Sequence, residues 1–187
     1  EGWSEGERGR HWLKTPDDQE LRSLVDGPPD TTQSIVTLLK SGKVDMMWTS
    51  GHATEHDWQL GYSYPNGMLI CQQGALVGLS HDRSAVFPLN SPNPKVYYAP
   101  GNCLIGNIDG PSCMSLAWIR SGGAMQFCGY TVETWYGFMG WGIATNFIER
   151  PGVYSFAESV YLANQQLLYG LNEPGVLDSE HDRQGHA

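Results

Sequence analysis

No run or stripe of basic residues marks this 187-residue chain: 11 Lys and Arg stand against 20 Asp and Glu, for a formal charge of -9. Such a balance gives a phosphate backbone nothing to follow, which argues against nucleic acid as a partner. Apolar runs approaching the roughly 20 residues of a bilayer span are also missing, and the opening stretch, EGWSEGERGR, has no apolar signal core. No membrane span is expected. Cysteine is scarce, with four residues (Cys71, Cys103, Cys113 and Cys128) and no Cys-x-x-Cys pair, which excludes a disulfide-dense scaffold. What the chain does have is 40% apolar residues, seven Trp and nine Tyr, enough for one substantial core, with 23 Gly and 11 Pro to punctuate it with turns and surface loops.

Residues 1–14 are polar and Gly-rich and read as an arm or linker, and residues 172–187 as a polar tail; the stretch between, 15–171, reads as one domain. TPDDQELRSLV is a helix with Thr15 as N-cap and Pro16 at its first position, stopped by Gly27-Pro28-Pro29. DTTQSIVTLLKSG is a second, capped by Asp30 or Thr31 and ended by Gly42, with Ile35, Leu38 and Leu39 on one face. KVDMMWTSGH has the length of a strand broken by Ser50-Gly51, and GMLICQQGALVGL reads as a β-hairpin around Gln72-Gln73-Gly74. SAVFPLNSPNPK is a Pro-punctuated loop, and KVYYAP the next buried strand. CMSLAWIRSG follows as a helix capped by Asp109 or Ser112, AMQFCGY as a strand, and TVETWYGFMGWG as a Trp- and Gly-rich loop. SFAESVYLANQQLLYG carries the pattern of a capping box, Ser155 with Glu158, and Gly170 at its end. This alternation favours a mainly parallel sheet with helices on its faces, and such sheets bind ligands at the carboxyl ends of their strands. His52 and Cys103 both fall at such ends.

A cysteine nucleophile needs a base or imidazolium beside it and backbone N–H groups aimed at the developing oxyanion. If the strands before His52 and Cys103 are neighbours, Cys103 has both, with the N–H groups of Ala53 and Cys103 as donors and Gly51 and Gly101 allowing substrate close to the backbone. The competing reading is packing, because a free Cys is among the most buried residue types. Cys71, Cys113 and Cys128 have apolar neighbours inside expected elements and are assigned to packing.

Two strands, VDMMWTSGHA ending in a histidine after Gly and KVYYAPGNC ending in a cysteine, followed by GNCLIGNIDGPSCMSLAWIRSGGAMQFCGYTVETWYGF, resemble the gingipain-like cysteine peptidases, relatives of caspases and legumain. The likeness spans about residues 44–147. It implies a caspase-like three-layer α/β sandwich with a mainly parallel sheet and an inserted β-hairpin, and a thiol protease that uses no metal or organic cofactor on a peptide or protein substrate. It further implies Cys103 as nucleophile, His52 as its partner and an oxyanion hole from Ala53 and Cys103. Gly51, Gly101 and Asn102 would flank the substrate, and the loop around Trp135 and Tyr136 would wall its pocket. The chain departs from the family in having Ala53 after the histidine where Gly is usual, and in the insertion between the dyad members. The family's fold also begins with strands ahead of the first helix read here, so an incomplete sheet is expected. The resemblance favours a secreted or cell-envelope setting.

Other readings share these residues. A catalytically silent domain of the same fold would bind peptides or a partner protein. HATEH, His52 to His56, matches the inverted zinc-peptidase pattern, whose two histidines must sit one helical turn apart; a solvated loop is the competing reading for Glu55 and His56. Glu133 and Asp109 are either selectors of a basic substrate side chain or caps and surface charges. Trp135, Tyr136 and Trp141 are either a pocket wall or a core lid.

Overall fold

The computed structural model describes residues 30–49, 51–60, 66–133 and 142–173. The helix expected from Thr15, the arm, most of the tail and the aromatics Trp135, Tyr136 and Trp141 lie outside the described residues. Eleven elements follow in order: α1 (Thr32–Lys40), β1 (Met46–Trp48), β2 (Asp57–Gln59), β3 (Met68–Gln72), β4 (Ala75–Leu79), β5 (Val86–Pro88), β6 (Lys95–Ala99), α2 (Met114–Arg120), β7 (Ala124–Gly129), α3 (Gly142–Phe147) and α4 (Phe156–Asn172). They build two sheets, a parallel one in the order β1-β6-β7 and an antiparallel one in the order β2-β3-β4-β5.

Strand periodicity explains the layering. Successive side chains of β6 point to opposite faces, so Tyr97 and Tyr98 enter different cores. Tyr97 joins Met47, Leu39, Leu69, Leu76, Ile105 and Trp118 on the side of α1, α2 and the antiparallel sheet. It lies against Trp118 with ring centroids 4.3 Å apart and meets Phe127 edge-on at 5.2 Å. Tyr98 packs on the opposite face with Ile143, Phe156 and Ala163 of α3 and α4, joined by Met46, Trp48 and Cys128. The parallel sheet is thus covered on both faces, as sheets of this kind require. The chain is mixed α/β, as its alternation of elements implies.

The expected hairpin forms in the expected place, with Gln72 opposite Ala75 across a turn at Gln73 and Gly74. It is the middle of a four-stranded sheet rather than an isolated insertion, because a stretch given no element in the sequence reading and part of the Pro-punctuated loop are edge strands. Asp57–Gln59 pairs with β3, and Val86–Pro88 pairs with β4. Pro88 is tolerated there since an outer strand can forgo a ladder donor.

α1 starts as expected, with Thr31 as N-cap and Asp30 accepting from Thr32 N at 2.8 Å. Two other helix ends differ from expectation. Cys113, not Asp109 or Ser112, is the N-cap of α2 and makes no side-chain cap bond. The capping box of Ser155 and Glu158 is present as expected, but α4 continues past Gly170 to Asn172.

Lys95 opens β6 at 2% exposure, and its ammonium donates to Ser91 Oγ at 2.6 Å and to the carbonyls of Asn93 and Gly122, each at 2.9 Å. Burial lowers its pKa, and three oxygen acceptors take the place of water. This cation pins the Pro-punctuated loop to the turn before β7.

α1 packs closely on the antiparallel sheet at Gly78, where an added Cβ would lie 2.6 Å from Thr32 Cγ2 and 2.7 Å from Val36 Cγ2. Gly78→Ala should therefore destabilise the fold by about 1–3 kcal/mol through overpacking. A lowered urea midpoint with an unchanged slope is the expected observation.

Candidate active site

The carboxyl ends of β1 and β6 define the site. Their parallel register sets Trp48 opposite Tyr98, and Thr49 N donates to the Tyr98 carbonyl at 3.1 Å. Beyond this the pairing resumes as a single parallel bridge between Gly51 and Asn102, with one residue more on the β6 side. The extra residue is absorbed in a tight turn: Gly101 has φ +79°, a left-handed conformation that suits glycine, and Asn102 N reaches back to the Ala99 carbonyl at 3.4 Å. His52 and Cys103 each lie one position beyond the bridge, on adjacent chains. The strands before His52 and Cys103 are neighbours.

Asn102 is fully buried and ties the junction together. Its surroundings fix the amide orientation: Nδ2 donates to Thr49 Oγ1 at 3.1 Å and to the Thr49 carbonyl at 2.8 Å, while Oδ1 accepts from Trp58 Nε1 at 3.1 Å. Thr49 Oγ1 also lies 2.9 Å from Tyr97 Oη, and burial raises the Tyr97 pKa so strongly that this phenol stays neutral. One side chain thus joins the end of β1, the turn after β6 and β2 of the second sheet. It is a structural tie, because every polar atom of its buried amide already has a protein partner.

After Cys103, which is half-buried, Leu104 adopts φ +57°. A non-glycine residue in that region costs about 1–2 kcal/mol and persists where its surroundings hold it. Here Leu104 N donates to the Val132 carbonyl at 3.0 Å, Gly106 N to that of Tyr130 at 2.8 Å, and Asn107 N to that of Leu104 at 2.9 Å. Ile105 is wholly buried between them. Gly106 has no room for a side chain, since a Cβ would sit 2.3 Å from the Gly129 carbonyl oxygen. The turn that carries Cys103 is therefore seated on the chain leaving β7.

On the histidine side, His52 is exposed and its carbonyl accepts from Gln59 N at 2.9 Å. Thr54 N donates to the Asp57 carbonyl, also at 2.9 Å, so Ala53 faces Trp58 as the pair whose own N–H groups take no part in that ladder. Ala53 is not among the positive-φ residues, so alanine rather than glycine at this position brings no backbone strain.

Glu55 and His56 lie in a bend ahead of β2, with His56 exposed, and both are held by hydrogen bonds. Glu55 Oε1 accepts from Asn107 Nδ2 at 3.1 Å, and its carbonyl accepts from Met114 N at 2.6 Å. The carboxyl is held below its ordinary pKa by its own backbone N–H and by Asn107. His56 Nδ1 lies 2.9 Å from the Ser112 carbonyl, and Nε2 lies 2.9 Å from Asp109 Oδ2. Its pKa is raised, first by the Ser112 carbonyl and then by the Asp109 charge, against the opposing effect of burial. Asp109 is accordingly neither a helix cap nor a pocket carboxylate but a partner of His56. Residues 52–56 form no helix, so the one-turn spacing that a zinc pair demands does not arise, and both ring nitrogens of His56 are engaged.

Glu133 is exposed, and the loop that would complete a pocket with it lies outside the described residues. Cys113 is fully buried, while Cys71 and Cys128 pack at the margins of the two cores. Burial pushes the Cys128 thiol up to about 11 and raises that of Cys71, so neither is a thiolate near neutrality.

Compared with models of protein families, with curated proteins and with solved structures, the chain matches none.

Replacing Asn102 by Leu would strand Trp58 Nε1 and the Thr49 carbonyl in a dry interior, at a cost of about 2–4 kcal/mol. Urea denaturation should report this loss, accompanied by faster hydrogen exchange at Thr49 and Gln59.

Proposed function

We propose that this chain is a cysteine endopeptidase of the gingipain-like kind. Cys103 attacks the carbonyl carbon of a peptide bond and His52 serves as its proton carrier. The observation that carries the reading is the Gly51–Asn102 bridge, which gives His52 and Cys103 adjacent places at the ends of two parallel strands. Two supporting features are the left-handed Leu104 just after the cysteine and the Ala53 N–H left out of the neighbouring ladder.

In this mechanism His52 takes the thiol proton and the thiolate adds to the carbonyl. The oxyanion is met by the N–H groups of Ala53 and Cys103. Collapse breaks the C–N bond as the imidazolium gives its proton to the leaving amine, forming a thioester. Water, deprotonated by His52, then adds to the thioester; the acid leaves, and the thiolate and imidazolium return. No metal or organic cofactor takes part. The substrate is a peptide or protein whose side chain would sit near Glu133 and the Trp135–Tyr136 loop, a carboxylate that favours a basic residue.

A mixed fluorogenic peptide library tests this with wild-type protein and Cys103→Ala, each with and without a chelator. Chelator-insensitive turnover that falls by roughly 10³-fold or more in the variant is the expected result. Turnover retained by the variant rejects Cys103 as nucleophile, and chelator-sensitive turnover points to a metal hydrolase instead. Silence in both, with Cys103 no more reactive toward iodoacetamide near neutral pH than an ordinary thiol, points to a binding domain.

A further inference from the structure

We infer that His56 is a positioning residue: as an imidazolium it clasps the loop carrying His52 to the loop carrying Cys103, and the clasp loosens as pH rises. Only the kinetic consequence of this inference rests on the peptidase reading. The hydrogen-bonding inventory of imidazole supplies the argument. Both partners of His56 are acceptors, the Ser112 carbonyl at Nδ1 and the Asp109 carboxylate at Nε2, each at 2.9 Å. A neutral imidazole has one N–H and satisfies one of them; the imidazolium has two and satisfies both.

The two loops are tied through Glu55 as well. Glu55 contributes its carboxylate to Asn107 and its carbonyl to Met114 N, so residues 55 and 56 together hold the segment 107–114 at four points. That segment follows directly from the Cys103 turn, and residue 55 is three beyond His52. A shift of either loop changes the placing of one dyad member relative to the other.

The titratable groups about His56 agree in sign. The carboxylates of Glu55 and Asp109 both favour the cation. Asp57, next in the chain, accepts from Thr54 Oγ1 at 3.0 Å. β3 approaches through Cys71, whose N–H donates to the His56 carbonyl at 2.8 Å, and α2 through Met114, whose N–H donates to the Glu55 carbonyl. Arg120, also on α2, is turned to the Pro111 carbonyl at 3.3 Å. The side chains of His56 and Asp109 are 56% and 38% exposed, so the pair exchanges protons freely with solvent. The folded pKa is raised, so the clasp is complete below the ordinary histidine value and is lost as pH climbs through the raised one.

The test joins NMR to kinetics. In a titration of the intact chain from about pH 5 to 9, His56 should titrate above about 6.5. The amide resonances of Glu55, Asn107 and Met114 should share its midpoint, and Asp109→Asn should lower that midpoint. A His56 that titrates at its ordinary value, or amides indifferent to it, overturns the clasp. In the kinetic arm, His56→Gln should lower kcat about tenfold near pH 6 with KM within about twofold, the pattern of misplacement rather than lost binding. His56→Arg, a permanent cation with several donors, should retain kcat and flatten its pH dependence. An unaltered kcat in His56→Gln overturns the positioning role. A wild-type chain without turnover in which the NMR coupling holds rejects the peptidase reading and upholds the clasp.

Discussion

The pairing of β6 with β1 on one side and β7 on the other is the constraint from which the rest of the structure follows. β6 is the middle strand of a sheet buried on both faces, and the alternation of its side chains divides the apolar residues into two cores. Tyr97 and Tyr98 are adjacent in sequence and end in different interiors. A register slip of one residue would exchange those interiors and move Trp118, Phe127 and Phe156 away from their partners. The buried ammonium of Lys95 at one end of the strand and the buried amide of Asn102 beyond the other oppose such a slip, since each is matched to acceptors or donors at fixed positions.

The site is a consequence of how that pairing ends. The strands separate, one chain carries an extra residue, and Asn102 closes the gap by reaching both Thr49 and Trp58. The same side chain thereby connects the parallel sheet to the antiparallel one, so the position of the cysteine turn depends on both. From its far side the turn is held by the chain leaving β7, and from its near side by the segment that starts at Glu55. Three elements distant in sequence thus fix one turn, and this is how Leu104 is kept in a conformation that its side chain disfavours.

The sequence was legible where local rules decide structure. The hairpin between β3 and β4 follows from two apolar runs around Gln73 and Gly74, and α4 from the reciprocal spacing of Ser155 and Glu158. The strands before His52 and Cys103 were visible as short apolar runs, and the possibility that they were neighbours came from the alternating order of elements. Where tertiary context decides, the reading stopped short. The strands β2 and β5 are three residues each, too short for an alternation to register, and they exist because a hairpin edge is available to pair with. Asn102 looks in sequence like a loop residue beside a nucleophile, and only its burial against Trp58 reveals a tie. His56 stands in a zinc-like pattern, and its partners Asp109 and Ser112 lie more than fifty positions away.

The separation of β1 and β6 along the chain bears on how the protein acquires its shape. The whole antiparallel sheet, β2 to β5, lies between them in the chain and pairs strands that follow one another in sequence, whereas the parallel pairing must close a loop of about 50 residues. Contacts of short range form early and cheaply, and the meander shortens the span that the late pairing has to bridge. His52 and Cys103 come to neighbouring strand ends only when that closure is complete. A nascent or partly unfolded chain therefore carries both groups but holds them apart until β1 and β6 have paired.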